Sequence, residues 1–114
     1  MENLTGHKIT LVDSSGKVLF VLEPSKREVP LRASYQKMQG TSAEGYPIAY
    51  MKFYTDLSQE RLDELAFTYK NIIVSKITAE ALKNQGYKGS IYITGQKFYK
   101  NGQLIGVLEL SKYN

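Results

Sequence analysis

Apolar and polar residues alternate in short runs along most of this chain, a pattern typical of strands with one buried face. The clearest case is residues 96–110, QKFYKNGQLIGVLEL, in which Asn101-Gly102 separates two apolar segments. Both central positions of a type I′ turn need a positive φ, and Asn and Gly tolerate it best. The pattern therefore predicts a C-terminal β-hairpin over these residues. An isolated hairpin is only marginally stable in water, so it needs a larger sheet to join.

A second hairpin is predicted near the start of the chain. Residues 7–13, HKITLVD, alternate apolar and polar, and residues 17–22, KVLFVL, form a near-continuous apolar run. The segment between them, Asp13 to Gly16, has turn chemistry, because Asp and Ser bond their own backbone and Gly adopts left-handed conformations. Pro24 and Pro30 then bracket a segment that we expect to be a loop or an edge strand, since proline has no amide hydrogen.

The middle of the chain mixes predicted strands with helices. Further strands are predicted over residues 31–38, 48–56, 71–75 and 90–94. Residues 39–46, QGTSAEGY, are small or glycine-rich and are a candidate mobile loop. Two short helices are expected, the first capped by Asp56 or Ser58 and the second capped near Thr78 and ended by Gly86.

These elements together predict an α+β fold with a mainly antiparallel sheet, two short helices and a C-terminal β-hairpin. A length of 114 residues fits one domain, residues 1–114. Because there is no cysteine, disulfide scaffolds, cysteine-ligated zinc and thiol catalysis are excluded. No apolar run is long enough for a signal peptide or a membrane span, so we expect a cytoplasmic protein without a membrane partner.

Charge and aromatic content point to a binding surface without fixing its ligand. Lysine and arginine number 15 against 11 acidic residues, a formal net charge of +4. This excess fits an anionic partner such as a nucleotide, and it also fits an ordinary solvated basic surface. The chain has nine tyrosines, four phenylalanines and no tryptophan. Tyrosine suits stacking on a base or packing at a protein interface, although tyrosines also half-bury on ordinary sheets.

Several candidate binding residues lie at the ends of predicted elements. Ser75 and Lys76 fall where a strand runs into a helix, and the free N–H groups of a helix start bind anions; the alternative is an ordinary capping serine. Phe98 and Tyr99 stand between two lysines near the hairpin tip, which interleaves stacking and basic groups. Arg32 is the arginine best suited to a planar, bidentate contact with phosphate.

Catalytic constellations are harder to find in the sequence. His7 is the only histidine, and it is either a general base or a strand-end histidine bonded to backbone or ligand. The acidic residues of the first predicted helix are explained by a solvated face. No His, Asp or Glu pair stands at a metal-ligand spacing, and the glycines match neither the dinucleotide-binding fingerprint nor the P-loop. We therefore expect a non-enzyme with no cofactor, no metal and no catalytic residue.

Short motifs recur in order along nearly the whole chain. They are Asn3-Leu4-Thr5 with His7, Val12-Asp13, Pro24-Ser25 leading to Leu31-Arg32-Ala33, Gly45-Tyr46-Pro47-Ile48, Ile73-Val74-Ser75 and Gly102-Gln103-Leu104-Ile105-Gly106. In these motifs the chain resembles a family of small phage and bacterial proteins that begin Asn-Leu-Thr-Pro-His and end in an Arg-Asp…Gly-x-Ile-Ile-Gly hairpin. It departs from that pattern at Gly6, which replaces the proline, and at Phe98-Tyr99, which replace the Arg-Asp pair.

The chain is also similar to phage anti-defence proteins of the Thoeris-inhibiting, signal-sequestering type. The resemblance implies that it binds a cyclic ADP-ribose-like or cyclic nucleotide immune signal without cleaving it, as a homo-oligomer whose protomers share the pockets. On this hypothesis Arg32, Lys76 and the helix start at Ser75 hold phosphates, and Phe98 or Tyr99 stacks on the base. The remaining members of the expected ligand-binding set are Thr5 and His7.

Two alternatives to sequestration stay open. One is a hydrolase of such a nucleotide signal that uses His7 as its base. The other is a protein-interaction module that inhibits a host factor through its tyrosine-rich surface and edge strands. Nucleic acid is not the expected partner in any of the three.

Overall fold

The computed structural model describes all 114 residues and has an α+β architecture of ten strands and two helices. In chain order the elements are β1 (Glu2–Asn3), β2 (Ile9–Val12), β3 (Val18–Leu22), β4 (Ser34–Thr41), β5 (Pro47–Tyr54), α1 (Gln59–Thr68), β6 (Asn71–Ile73), α2 (Lys76–Asn84), β7 (Ser90–Thr94), β8 (Lys97–Lys100), β9 (Gln103–Val107) and β10 (Leu110–Lys112). They form two four-stranded sheets and one two-stranded sheet.

The first sheet, called here the main sheet, has the strand order β1-β6-β7-β10. β1, β6 and β7 run parallel, and β10 runs antiparallel to β7. α2 connects β6 to β7, because parallel neighbours need a crossover connection. Both helices bury their apolar side chains in the largest core cluster, together with residues of the main sheet and of the loops beside it. Its fully buried members include Leu4, Leu62, Leu65, Ile72, Leu82 and Ile91.

The second sheet, called the side sheet, has the order β3-β2-β9-β8 and contains both predicted hairpins. Asn101 and Gly102 have φ values of 53° and 78°, so the expected positive-φ turn between β8 and β9 is confirmed. The N-terminal hairpin of β2 and β3 is also present. Parallel pairing of β2 with β9 joins the hairpins. Gly106 permits this pairing, because a Cβ there would lie 2.5 Å from the carbonyl oxygen of Thr10.

The third sheet is a long hairpin of β4 and β5, called here the arm. Its register runs without interruption from Ser34 opposite Tyr54 to Thr41 opposite Pro47. The arm packs against α2, and most of its side chains are exposed. It contributes to an elongated molecule of 52 × 36 × 20 Å.

Several sequence-based predictions need correction. The candidate mobile loop 39–46 is wrong over its first part, because β4 continues to Thr41 and pairs with β5. The strand expected over 31–38 begins at Ser34. The apolar residue Leu110, assigned to the C-terminal hairpin, lies in β10 of the main sheet, since β9 ends at Val107.

Antiparallel pairing is also less dominant than predicted, with four antiparallel and three parallel strand pairs.

Ser58 is the N-cap of α1, as one of the two predicted alternatives had it. α2 begins earlier than predicted, because its N-cap is Ser75, whose hydroxyl accepts from the amide of Thr78. Thr78 therefore lies inside the helix. α2 ends just before Gly86, as predicted, and Gly86 has a φ of 74°.

Candidate functional site

The carboxyl ends of three parallel strands define one edge of the main sheet, called here the carboxyl edge. The register places Asn3 beside Ile73, and Ile73 beside Tyr92, so the chain leaves β1, β6 and β7 at the same edge. Sheets with parallel strands commonly bind ligands outside this edge. Four predicted site residues lie within four residues of the end of β1 or β6: Thr5, His7, Ser75 and Lys76.

The buried side-chain amide of Asn3 organises the loop that follows β1. Its Oδ1 accepts from the backbone N–H of Thr5 at 3.1 Å and from the Thr5 hydroxyl at 2.6 Å. Its Nδ2 donates to the carbonyl of His7 at 2.8 Å and to that of Leu22 at 3.0 Å. All four hydrogen-bonding positions of the amide are thus occupied. They hold the backbone up to His7 and close the open end of the hairpin of β2 and β3.

Arg32 contacts the same loop from the other side. Its Nη1 donates to the carbonyl of Thr5 at 3.0 Å, and the residue is otherwise exposed. A Cβ on Gly6, whose φ is 89°, would lie 3.0 Å from Nη2 of Arg32. Proline has its φ fixed near about −65° and could not adopt this conformation. Gly6 therefore permits a backbone path beneath Arg32 that a proline could not follow.

His7 lines an open cleft of about 260 Å³ that lies between the loop after β1 and the side sheet. The polar residues of the cleft are His7, Lys8, Thr10, Thr94 and Lys97. Its apolar wall is formed by Ile9, Leu104, Ile105 and Val107, with Gly106 between them. No carboxylate lines the cleft. Two ammonium groups, an imidazole and two hydroxyls beside an apolar wall suit an anion that carries a flat or aliphatic part.

Ser75 and Lys76 lie at the carboxyl edge but do not line this cleft. The Ser75 hydroxyl accepts from the amide of Thr78 at 3.3 Å and donates to the Thr78 hydroxyl at 2.9 Å, which is the geometry of a helix cap. Lys76 lines a separate cleft of about 270 Å³ between α2 and the arm, with Met51 and Ile77 among its neighbours. The predicted site residues His7 and Lys76 therefore line two different clefts.

Phe98 and Tyr99 belong to the side sheet and point to different surroundings. The Phe98 ring lies against Gly16, where a Cβ would be 2.9 Å from the ring edge, so Phe98 is half-buried beneath the first turn. Tyr99 is 56% exposed. Neither ring lines the cleft, although the adjacent Lys97 does. Tyr99 is thus the freer of the two for stacking.

The cleft also uses residues that the sequence reasoning did not single out. They are Lys8, Thr10, Thr94 and Lys97. Lys8 and Thr10 reach the cleft because the consecutive residues 7–10, at and just before the start of β2, all line it, which an alternating pattern does not predict. What brings Thr94 to the same place is the order of strands in space, which hydrophobic periodicity does not report.

Titration shifts lie outside the cleft. Hydrogen bonds from Ser15 and Lys17 lower the pKa of Asp13. Burial raises the pKa of Tyr87 to about 12, and its hydroxyl has no hydrogen-bond partner. Burial and the Glu28 carboxylate raise the pKa of Tyr69, and a hydrogen bond to Glu80 raises that of Tyr113.

Comparison with protein-family models, with curated proteins and with solved structures finds no match for this chain. Neither helix is long and apolar enough to cross a membrane. No group of three or more His, Cys, Asp or Glu residues is arranged to hold a metal ion.

Proposed function

We propose that this protein binds an anionic, nucleotide-derived signal and sequesters it without cleavage, as a phage-type anti-defence protein. The observation that carries the proposal is the cleft beside His7, whose polar lining includes Lys8 and Lys97 and contains no carboxylate. A phosphate placed there meets cations and hydroxyls, while a base or ribose meets the wall around Ile105. The anti-defence role itself is supported by the resemblance in the short motifs.

The size of the cleft limits how much of the ligand one chain encloses. Small-molecule sites usually span about 300–1,000 Å³. At about 260 Å³ the cleft accommodates one phosphate with its neighbouring group, so the remainder of a nucleotide would lie along the carboxyl edge. On this proposal Arg32, exposed beside Thr5, contacts that remainder. Sharing of the site between protomers would complete the enclosure, in keeping with the expected homo-oligomer.

The decisive experiment is native mass spectrometry of the protein purified from cells that produce nucleotide immune signals, followed by heat release and mass analysis of what it carried. We expect an intact cyclic or ADP-ribosyl nucleotide. A cleaved nucleotide would move the assignment to hydrolysis with His7 as base, and His7→Ala should then abolish turnover. A protein that emerges empty under high signal would refute both.

Matched variants locate the site. Because charge-assisted hydrogen bonds contribute about 1.5–3 kcal/mol each, Lys97→Gln should weaken binding of the released nucleotide at least tenfold in titration calorimetry. Lys70→Gln removes the same charge from an exposed position beside β6 and should leave affinity unchanged. Equal affinity in both variants would place the ligand elsewhere.

The protein-interaction alternative is favoured by a different observation, the exposed aromatic side chains of the arm. Tyr35, Tyr50 and Tyr54 are all exposed on β4 and β5, beside Met51. Tyr50 and Tyr54 share one face of the arm, while Tyr35 and Met51 lie on the other, and exposed aromatic side chains of this kind suit a protein partner. This alternative predicts a stable complex with a host protein that Tyr50→Ser weakens, together with no affinity for any nucleotide.

A further inference from the structure

The outer edge of the side sheet is an apolar strand with no neighbour. β3 pairs only with β2 and stands at the end of the order β3-β2-β9-β8. Its side chains are exposed on both faces: Val18 is 51%, Leu19 51%, Phe20 65% and Val21 44% exposed. Soluble proteins normally protect such an edge with charges, prolines or bulges. No charge or proline occurs between Val18 and Leu22, and the one irregularity of the strand is a bulge at Leu19.

The charges that flank β3 are arranged symmetrically about its centre. Lys17 stands three residues before Phe20, and Glu23 stands three residues after it. When two antiparallel copies of the strand pair with Phe20 opposite Phe20, each Lys17 stands directly opposite a Glu23 of the other copy. Directly opposed residues of opposite charge stabilise an antiparallel pair, and like charges destabilise it. One register thus satisfies the apolar and the charged residues together.

We propose that β3 pairs with β3 of a second copy of this chain, in the antiparallel register centred on Phe20. The pairing makes a two-fold dimer with one continuous eight-stranded sheet. It is an isologous contact, in which the same strand serves both subunits. The proposal concerns the assembly of the chain and does not rest on the identity of the ligand.

The backbone of β3 is compatible with this contact. The Asn3 side chain that donates to the Leu22 carbonyl also donates to His7, so it lies between the ends of β2 and β3 rather than on the outer edge. The register of β2 and β3 shifts between Leu11 and Val12, which leaves Leu19 as the extra residue of a bulge. A bulge increases the local twist and can turn an edge away from a partner, so the contact requires the register centred on Phe20 to hold beyond the bulge, which the charge exchange and the cross-link test.

The contact is expected to be modest in affinity. A standard interface covers about 800 Å² of each partner, and the whole chain exposes 7767 Å². One strand edge covers less than the standard area, so we expect a dissociation constant in the micromolar range, about 1–100 μM. Sedimentation velocity of the ligand-free full chain between these concentrations should show a monomer–dimer equilibrium.

Charge exchange tests the register. Lys17→Glu places two Glu residues opposite each other at each end, and Glu23→Lys places two Lys residues there, so each single change should weaken the dimer at least fivefold. The double variant Lys17→Glu with Glu23→Lys restores opposite charges and should restore dimerisation. Lys88→Glu changes the net charge of the chain by the same amount at an exposed loop and should have no effect.

A cross-link gives an independent measurement. The chain has no cysteine, so Phe20→Cys introduces a single thiol. Paired residues of antiparallel strands have Cα atoms about 4.5–5.5 Å apart, within the reach of a disulfide. Mild oxidation should therefore give a covalent Phe20→Cys dimer. In Val18→Cys the two thiols would lie four residues, about 13 Å, out of register and should not cross-link.

Four outcomes would overturn the proposal. They are a wild-type chain that stays monomeric at 100 μM, a dimer unaffected by either charge change, a double variant no better than the single ones, and equal cross-linking at positions 18 and 20. A chain that stays monomeric alone and forms a complex only with another protein would assign the β3 edge to a foreign strand. Circular dichroism of each variant confirms folding, which exposed substitutions in β3 should preserve.

Discussion

Replacing Asn3 by alanine tests whether the motif Asn3-Leu4-Thr5 serves the fold rather than the ligand. The substitution removes the acceptor of the Thr5 amide and hydroxyl and the donor to the carbonyls of His7 and Leu22. Asn3 is 3% exposed, so bulk water does not replace the removed amide as a hydrogen-bond partner. We expect a large loss of stability although no core hydrocarbon is removed.

The magnitude follows from the bonds one by one. Leaving the buried Thr5 amide unpaired costs about 1–3 kcal/mol, and losing each of the two part-buried bonds to His7 and Leu22 costs about 0.5–1.5 kcal/mol. The sum centres on about 4 kcal/mol, which is a large part of the about 5–15 kcal/mol typical of a domain. Urea denaturation followed by circular dichroism should show the midpoint falling with an unchanged slope.

The matched control is Thr5→Val, which removes only the hydroxyl from the same network. The backbone amide of residue 5 and the carbonyls of His7 and Leu22 keep their hydrogen bonds to the Asn3 side chain. We therefore expect the free energy of unfolding to fall by only about 1 kcal/mol. A loss below about 0.5 kcal/mol for Asn3→Ala would refute the reasoning. In that case the loop after β1 would not depend on Asn3, and the motif would have to be explained by ligand contact.

Three further predictions concern single positions away from the cleft centre. Gly106→Ala should destabilise the chain by about 2–3 kcal/mol in urea denaturation, because its Cβ would meet the Thr10 carbonyl at 2.5 Å; no loss would contradict the close approach of β9 to β2. Ser75→Ala should cost about 1 kcal/mol by removing the cap of α2, and a normal nucleotide affinity in this variant would assign Ser75 to the fold alone. Tyr87→Phe removes a buried hydroxyl without a partner, so stability at pH 7 should stay equal or rise. The folded pKa of Tyr87, about 12, lies above the unfolded value of 10.0, so the unfolded chain releases the Tyr87 proton first and wild-type stability falls as pH rises from 10 to 12. The phenylalanine variant should lose less stability over that range, as measured by unfolding followed by fluorescence. An identical loss in both proteins would contradict the burial of Tyr87.

The sequence predicted well what depends on neighbouring residues. The turn at Asn101-Gly102, the N-cap at Ser58, the end of α2 before Gly86 and the pairing of β2 with β3 are local, and each was visible from spacing and residue type. β1 and β10 contain two and three residues, too few for periodicity to register. The end of β4 was mistaken for a loop because Gly40 lowers strand propensity, whereas in the structure Gly40 lies against Tyr50 across the arm.

The candidate site depends on the pairing of strands that are far apart in the sequence, which the pattern of neighbouring residues does not predict. Asn3 lies beside Ile73 because Leu4 donates from its amide to the Ile73 carbonyl at 2.9 Å, a bond between residues about seventy positions apart. Only this parallel pairing brings the loop of His7 to the edge from which α2 begins. Individual site residues could therefore be proposed from their chemistry, while the separation of His7 from Lys76, which line different clefts, could not.

The two proposals lead to separable measurements on the same molecule. The cleft lies between the loop after β1 and the inner strands of the side sheet, and β3 forms the outer edge of that sheet. No residue of β3 lines the cleft, so the β3 dimer is distinct from a contact through which protomers would share the site, and loss of dimerisation in Lys17→Glu should leave the affinity for a nucleotide within about twofold at one copy per chain. If affinity instead falls with dimerisation, the ligand would span both subunits, since mass action couples binding to assembly only when the bound state needs the second copy.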